Sequence, residues 1–163
     1  MIDEKDAEIL RLLQKDCKIS ARKIADELRS PITTVYSRIK RMEESGIIKG
    51  YKAVLDAGKA GLGTLAFILV SFSYRREDRG ASSQREVAKK IAMLPEVQET
   101  HIITGDWDIL LKVRVKNVEE LGRLVIDTLR TIKGVERTLT CVTLSTIKET
   151  TEIKIPQAKQ PKT

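Results

Sequence analysis

Apolar residues near the N-terminus recur at the three- and four-residue spacing of amphipathic helices. This spacing predicts three short helices, and each follows a residue that suits an N-cap: Asp3, Ser20 and Ser30. Pro31 then fits the first position of the third helix, and Gly46 fits its C-terminal stop. Side chains expected to face inward are Ala7, Leu10 and Leu13, then Ile24, Ala25 and Leu28, then Val35, Ile39 and Met42. The short connection between the second and third helices is typical of a helix-turn-helix.

The helical pattern stops after the third helix. Residues 47–55 fit a short strand, which is compatible with the wing of a winged helix-turn-helix. Residues 56–63 contain three glycines, a composition that marks a hinge or linker. We therefore expect a first domain over residues 1–62 that comprises the helix-turn-helix and its linker.

Beyond the linker the periodicity changes to that of a mixed domain. Strands are expected at 64–74, 97–104, 109–115 and 135–147. One helix is marked by Val87, Ile91 and Leu94; another follows Asn117 as N-cap with the stripe Val118, Leu121, Val125 and Leu129. The order is βαββαβ, in which two helices pack on one face of a ferredoxin-like sheet. The fold class is α+β, with this second domain over 63–155 and a flexible tail at 156–163.

The other face of this sheet has no cover in a single chain. Apolar residues expected on it are Leu65, Phe67, Leu69 and Leu111, which two short helices cannot all bury. An apolar sheet face of this kind favours association with another copy.

Composition narrows the classes of protein. The apolar share is 41% and the charged share 33%, as in ordinary globular proteins. No apolar run reaches the roughly 18 residues of a membrane helix, and the acidic N-terminus does not resemble a signal peptide. We expect a cytoplasmic protein. Two distant cysteines and one histidine are too few for a Cys/His metal site, so we expect no metal, no cofactor and no disulfide framework.

The positive charge is concentrated in the helix-turn-helix. The net charge is +7, and residues 18–52 hold nine Lys or Arg against four acids. With its apolar stripe inward, the third helix directs short hydroxyls and cations outward, which suit base edges and phosphates of double-stranded DNA. Expected DNA-binding residues are Arg22, Ser30, Thr33, Thr34, Tyr36, Ser37, Arg38, Lys40 and Arg41. The alternative is a solvated basic face on a three-helix bundle, and for Tyr36 partial packing is an equal alternative.

A second constellation is the turn Gly105-Asp106-Trp107-Asp108. Two carboxylates one residue apart are compatible with an acid/base pair, but no other acid, histidine or nucleophile converges on them from the sequence alone. Ordinary turn chemistry, in which Asp bonds its own backbone, is the main alternative. Thr138 and Thr140 share one face of the last strand, where threonine is common.

The chain resembles the Lrp/AsnC family of transcription regulators over nearly its whole length. In the first half the resemblance rests on Asp3-x-x-Asp6-x-x-Ile9-Leu10-x-x-Leu13, Ser20-Ala21-Arg22-x-Ile24-Ala25 and Val35-x-x-Arg38-Ile39-Lys40-Arg41-Met42-Glu43-x-x-Gly46-Ile47-Ile48. In the second half it rests on Leu94-Pro95-Glu96-Val97 and on Thr104-Gly105-Asp106-Trp107-Asp108 with the strand after it. The pieces occur in order at the expected spacing, which makes the combination specific.

The resemblance implies a regulator of transcription whose DNA affinity or assembly responds to a small effector, usually an amino acid. Similar proteins pair through their βαββαβ sheets and assemble into octamers or discs. On this resemblance Asp106 and Asp108 receive an ammonium group, backbone N–H groups receive a carboxylate, and the threonines add polar contacts. The implied effector-binding set is Tyr74, Thr104, Gly105, Asp106, Trp107, Asp108, Thr138 and Thr140. Residues 75–83 depart from the pattern, since related sequences are often shorter there.

Two other functions compete with this interpretation. A branch with a similar two-part fold decarboxylates haem precursors, but that chemistry needs a tetrapyrrole site with its own His and Arg residues. The single histidine and the intact basic helix argue against an enzyme. The other alternative is an architectural protein that binds DNA mainly through charge.

Overall fold

The chain divides into two compact units. The computed structural model describes residues 2–73 and 83–156. One unit runs to Val54 and includes the segment that begins at Lys148; the other is Leu55–Ile147. Both boundaries differ from the expected ones, because residues 55–62 cluster with the second unit and the segment from Lys148 clusters with the first. Residues 157–163 of the expected tail lie outside the described residues.

The first unit contains three helices, as the periodicity predicts. They are α1 (Glu4–Lys15), α2 (Ala21–Glu27) and α3 (Ile32–Glu44). Their apolar stripes meet in one core, whose buried members are Ile9, Leu10, Ile24, Ala25, Val35 and Met42. The packing of short amphipathic helices on each other, rather than their intrinsic propensity, stabilises such a unit.

Two of the three N-caps expected in the first unit are confirmed. Asp3 and Asp6 form a reciprocal capping box, in which each carboxylate accepts from the other's backbone N–H at 2.9 and 3.1 Å. Ser20 Oγ accepts from the Lys23 N–H at 3.2 Å. The third cap is wrong by one residue: Pro31 occupies the N-cap of α3, and no side chain caps it. Ser30 Oγ instead donates to the Leu28 carbonyl at 3.4 Å.

Residues 47–55 do not form the expected strand. The segment is held to the helices by single contacts: the Ile48 N–H donates to the Met42 carbonyl at 3.0 Å, and the Tyr51 hydroxyl donates to Glu43 at 2.8 Å. Burial and the Glu43 carboxylate raise the pKa of Tyr51 to about 12. The glycine-rich segment after it is also ordered, because the Leu62 N–H donates to the Ala57 carbonyl at 2.8 Å.

The segment after Lys148 belongs to the first unit through a paired contact on α1. Gln14 Nε2 donates to the Ile153 carbonyl at 3.1 Å, and the Ile153 N–H donates to Gln14 Oε1 at 2.8 Å. The side-chain amide thus replaces the hydrogen-bond partner that a neighbouring strand would supply. Ile155 packs against the same apolar core.

The second unit has the expected βαββαβ order. Its elements are β1 (Thr64–Phe72), α4 (Gln84–Ala92), β2 (Val97–Ile102), β3 (Ile109–Val115), α5 (Val118–Arg123) and β4 (Val135–Val142). After α5 the chain continues through a π-helical turn (Leu124–Thr128) and a 3₁₀ turn (Leu129–Thr131). The strands form an antiparallel sheet in the order β2-β3-β1-β4, so β4 is an edge strand. None of the described helices is long and apolar enough to cross a membrane.

The helices cover one face of this sheet, and the strand register determines which residues lie there. Ile68 pairs with Leu111, so both point to the helix side, and both are fully buried. The expectation that Leu111 lies on the open face is therefore wrong. Leu65 alternates with Ala66 and Ile68 and so shares the face of Phe67, but it is buried. Phe67 does lie on the open face, 38% exposed. Val118, expected in the apolar stripe of α5, is 60% exposed.

Gly134, which precedes β4, offers a test of this packing. Its φ is +101°, and an added Cβ would lie 2.9 Å from both Phe72 Cε2 and Val87 Cγ2. Gly105 has a similar φ of +113° with nothing within 4 Å. Both alanine variants suffer the backbone penalty, but only Gly134→Ala overpacks the core. We expect it to lower the free energy of unfolding by about 1–3 kcal/mol more than Gly105→Ala.

Denaturant unfolding of the two variants beside the parent chain measures this difference. Equal losses for Gly134→Ala and Gly105→Ala would show that the close contact with Phe72 and Val87 is relieved without cost.

Candidate functional site

One face of α3 is a polar, exposed stripe. Thr33, Tyr36, Ser37 and Lys40 are spaced three, one and three residues apart, which places them on one side of a helix. All four are exposed, and Tyr36 is 65% exposed, so the packing alternative for Tyr36 is not what the structure shows. The stripe combines three hydroxyl groups with one cation. Such a surface fits the major groove, where hydroxyls and cations reach base edges and phosphates.

The flank of α3 that faces the start of α1 is an ion-pair cluster. Arg38 Nη1 lies 2.6 Å from Asp3 Oδ2 and 2.8 Å from Asp6 Oδ1. Arg41 Nη2 lies 2.6 Å from Asp6 Oδ2. The Asp6 side chain is 1% exposed, so one buried carboxylate bridges two guanidinium groups.

The cluster corrects the expectation that Arg38 points freely outward. Its side chain is 22% exposed, and both of its acidic partners belong to the first turn of α1 or its cap. Removing one partner from a buried ion pair costs about 3–5 kcal/mol, because a charge is left uncompensated. Arg38 therefore fixes the position of α3 against α1. Arg41 bonds to the same carboxylate and remains 57% exposed.

The remaining residues expected at the DNA surface lie around α3. Arg22 is exposed on α2, and Thr34 is half-buried, with its carbonyl accepting from Ser37 Oγ at 3.0 Å. Ser30 lies in the turn between α2 and α3, where Lys5 Nζ approaches its Oγ at 3.3 Å. The neighbouring Arg29 adopts a left-handed φ of +46°, which residue patterns did not reveal.

In the second unit, Asp108 holds the turn between β2 and β3 in place. Its Oδ2 accepts from the Phe72 N–H at 2.7 Å, and its Oδ1 accepts from Gln84 Nε2 at 3.2 Å. Its own N–H donates to the Val70 carbonyl at 3.0 Å. This carboxylate joins the turn to β1 and α4.

The other residues of the turn are placed differently. Thr104 and Asp106 are exposed, and Gly105 provides the left-handed φ that the turn needs. Trp107 is half-buried, and the Arg137 guanidinium carbon lies 5.3 Å from its ring centroid, within the range of a cation–π contact. Tyr74 lies outside the described residues.

Trp107 forms one wall of an open recess of about 470 Å³. The lining residues are Trp107, Arg130, Val135, Glu136, Arg137, Thr138 and Leu139. The structure thus brings Trp107 and Thr138 together, whereas Thr104, Gly105, Asp106, Asp108 and Thr140 do not line the recess. Because β4 is an edge strand, residues from both of its faces reach this space.

Sequence reasoning missed the two arginines of the recess. Arg130 Nε donates to Thr138 Oγ1 at 3.4 Å, across eight residues of chain. Sequence patterns draw attention to the threonine face of β4, so they do not identify Arg137 on its other face. In the described residues, no group of three or more His, Cys, Asp or Glu side chains is arranged to hold a metal ion.

The ion-pair cluster predicts a pH dependence. The hydrogen bond from Arg38, with that from the Asp6 backbone, lowers the pKa of Asp3 below its usual value. A lowered folded-state pKa stabilises the fold above the unfolded-state value near 3.8. That stability is lost as the pH falls through the folded-state pKa. Asp3→Asn keeps the N-cap and removes the charge, so we expect a smaller loss of stability on acidification below pH 4.

The measurement is thermal unfolding between pH 7 and pH 3, with hydrogen exchange of α1 amides to localise it. Asp26→Asn is the matched control, because Asp26 is exposed and has no ion-pair partner in residues 2–73 and 83–156. An Asp3→Asn chain as acid-sensitive as its parent would contradict the role of Asp3.

Known families match both units. A family described as winged helix-turn-helix DNA-binding matches residues 2–49, and the Lrp/AsnC ligand binding domain matches residues 65–153. The chain is 44% identical over 149 residues to an HTH-type transcriptional regulator of Pyrococcus horikoshii, covering 91% of this chain and 97% of the relative. It is 39% identical over 155 residues to the HTH-type transcriptional regulator FL11 of Pyrococcus furiosus, covering 95% and 97%.

Solved structures show the same architecture. A transcriptional regulator of Neisseria meningitidis, solved as an L-Met complex, superposes with a TM-score of 0.85 at 28% identity, covering 94% of this chain and 97% of that one. AsnC of E. coli superposes with a TM-score of 0.82 at 24% identity, covering 93% and 98%, and supports the fold. The chain belongs to the Lrp/AsnC family: it is a transcription regulator with a helix-turn-helix domain and a ligand-binding domain.

Proposed function

We propose that this regulator reads specific DNA sequences through α3 and that an amino acid adjusts its DNA affinity or assembly. The observation that carries the proposal is the exposed stripe of Thr33, Tyr36, Ser37 and Lys40, which the buried face of α3 holds outward. Hydroxyls near the start of the helix approach base edges, while Lys40, Arg41 and Arg22 meet phosphates. A protein with this role works where the DNA is, which agrees with the expected cytoplasmic location.

A dimer would present two copies of this stripe. The strand register places Phe67 beside Cys141 and Leu69 beside Leu139 on the open face of the sheet. Leu139 is 45% exposed, and Phe67 and Cys141 are exposed too, so a second copy seated there would bury an apolar patch. Two α3 helices in such a dimer require half-sites about one helical turn apart, roughly 34–36 Å. Assembly into octamers is the further step that the family resemblance implies.

The ligand-binding unit supports the effector part of the proposal. The recess beside Trp107 has a volume of about 470 Å³, which suits a small molecule. The Neisseria meningitidis regulator was solved with L-Met, which supports an amino acid as the class of effector. Asp106 is exposed in the same turn but does not line the recess.

The competing functions receive less support. Relatives over nearly the whole chain are named as transcriptional regulators, which favours regulation over haem-precursor chemistry. The architectural alternative predicts equal affinity for promoter and random DNA at physiological salt, so a competition assay distinguishes it from sequence-specific binding.

The α3 stripe predicts the salt dependence of DNA binding. Lys40 is 64% exposed, and its nearest acid, Glu44, is 3.9 Å away, so the charge is available to a phosphate. Lys40→Gln should weaken DNA binding and reduce the slope of log affinity against log salt by about one per subunit. The measurement is a fluorescence-anisotropy titration on one promoter fragment at several salt concentrations.

Lys15→Gln is the matched control, because it removes the same charge from the far end of α1. We expect its slope to equal that of the parent chain. If Lys40→Gln and Lys15→Gln behaved alike, the α3 stripe would not be the phosphate-contacting face.

The turn around Trp107 predicts a direct reporter for the effector. Trp107 is the single tryptophan of the chain, so its fluorescence should change when an amino acid enters the recess. Asp106→Asn removes a charge that lies in the same turn but does not line the recess, so we expect effector affinity to stay close to that of the parent chain.

The measurement is a fluorescence titration with each common amino acid, on the parent chain and on Asp106→Asn. Asp127→Asn is the control, since Asp127 is an exposed acid outside the recess. An effector that binds Asp106→Asn about tenfold more weakly than Asp127→Asn would place its ammonium group at Asp106 instead of in the recess.

A further inference from the structure

The recess beside Trp107 contains an uneven set of charges. Two arginines line it, Arg130 from the 3₁₀ turn and Arg137 from β4, and the acid among the lining residues is Glu136. The ring of Trp107 and the side chains of Val135 and Leu139 supply apolar surface between these groups. A ligand that fills the recess therefore meets two cationic groups and one anionic group.

The two guanidinium groups retain hydrogen-bonding capacity. Across residues 2–73 and 83–156, neither arginine takes part in an ion pair. Arg130 makes one long hydrogen bond, at 3.4 Å, to the Thr138 hydroxyl. Arg137 lies over the face of Trp107, a contact that offers no acceptor oxygen to its N–H groups. Each planar guanidinium is thus able to bind a carboxylate with two parallel hydrogen bonds.

We propose that this recess selects an amino acid with an acidic side chain, with one carboxylate on Arg130 and the other on Arg137. The inference rests on the proposed effector function of the recess and names its ligand class. Glu136 then faces the ammonium group, so that two cations and one anion of the protein meet two anions and one cation of the ligand. The methylene groups lie against Trp107, as the apolar wall requires.

The same charges disfavour other amino acids. A neutral ligand such as L-leucine or L-methionine brings one carboxylate and leaves the second guanidinium, which is exposed, to water, so it lacks the second charge-assisted pair. A basic ligand adds a further cation beside two arginines. L-Glutamine is the most informative comparison, because it matches L-glutamate in shape and lacks the second charge.

The first test compares L-glutamate and L-aspartate with their amides by isothermal calorimetry on the full chain, with Trp107 fluorescence as a second readout. Loss of one charge-assisted hydrogen-bond pair weakens binding about ten- to a hundredfold. We therefore expect L-glutamate to bind at least about tenfold more tightly than L-glutamine. Equal affinities for the acid and its amide would overturn the inference.

Variants assign the two carboxylates. One of the variants Arg130→Gln and Arg137→Gln should abolish the preference for L-glutamate over L-glutamine, because its arginine meets the side-chain carboxylate. The other should weaken both ligands and keep their ratio, because its arginine meets the α-carboxylate that both share. A general loss of stability leaves the ratio unchanged. Arg123→Gln is the matched control, because Arg123 is an exposed arginine of the same unit that lines a different recess. The control should keep the full preference. A full preference in both Arg130→Gln and Arg137→Gln would also overturn the inference.

Glu136→Gln tests the ammonium contact separately. The parent chain should prefer L-glutamate to glutarate, which has the two carboxylates and no ammonium group, and Glu136→Gln should lose this preference. Failure of the inference is distinguishable from failure of the proposed function. If L-methionine or another neutral amino acid binds and the acids do not, the acidic class is wrong and the effector site remains. If no amino acid binds, both are wrong.

Discussion

The buried carboxylate of Asp6 is the interaction on which the DNA-binding unit depends. It caps α1 through the Asp3 backbone and contacts Arg38 and Arg41 of α3 at 2.8 and 2.6 Å. A carboxylate that is 1% exposed is stable only when paired and hydrogen-bonded, and here both oxygens are used. Because one side chain joins the start of α1 to the middle of α3, the angle of α3 follows from this pairing. This orientation of α3 keeps its polar stripe exposed.

Asp108 has a similar structural role in the ligand-binding unit, where it connects separate elements. Its carboxylate accepts from Phe72 at the end of β1 and from Gln84 at the start of α4. The turn between β2 and β3 is thereby tied to two other elements, and Trp107 is presented to the recess beside it. The family resemblance implied that Asp108 meets a ligand. In the structure its carboxylate accepts hydrogen bonds from Phe72 and Gln84. The charged side chains that line the recess are those of Arg130, Glu136 and Arg137.

How well the sequence predicts a feature depends on how far apart along the chain the interacting residues lie. Helix periodicity and N-caps are local, so α1, α2 and the order of elements were predicted correctly. The partners of Arg38 lie 32 and 35 residues away, and Phe72 lies 36 residues from Asp108, distances at which residue patterns carry no information. Leu111 was assigned to the wrong face although the alternation along β3 indicates the right one: Ile109, Leu111, Val113 and Val115 are buried, and Lys112 and Arg114 occupy the positions between them. The register with Ile68 agrees with this alternation.

The ion-pair cluster also lowers the number of basic residues in the DNA-binding unit that are available to neutralise DNA phosphates. Nine basic residues lie between 18 and 52, but Arg38 is neutralised by Asp3 and Asp6, and Arg41 shares Asp6 with it. The number of phosphates that a protein neutralises sets the salt dependence of its binding, and internally paired cations release no counterions. Arg41 is the exception at the border, since it is exposed on one side and bonded to Asp6 on the other. A phosphate that approaches it finds a guanidinium already oriented by a buried carboxylate, so contact costs less side-chain entropy than contact with Lys40, which is 64% exposed and has only a long ion pair, at 3.9 Å, with Glu44.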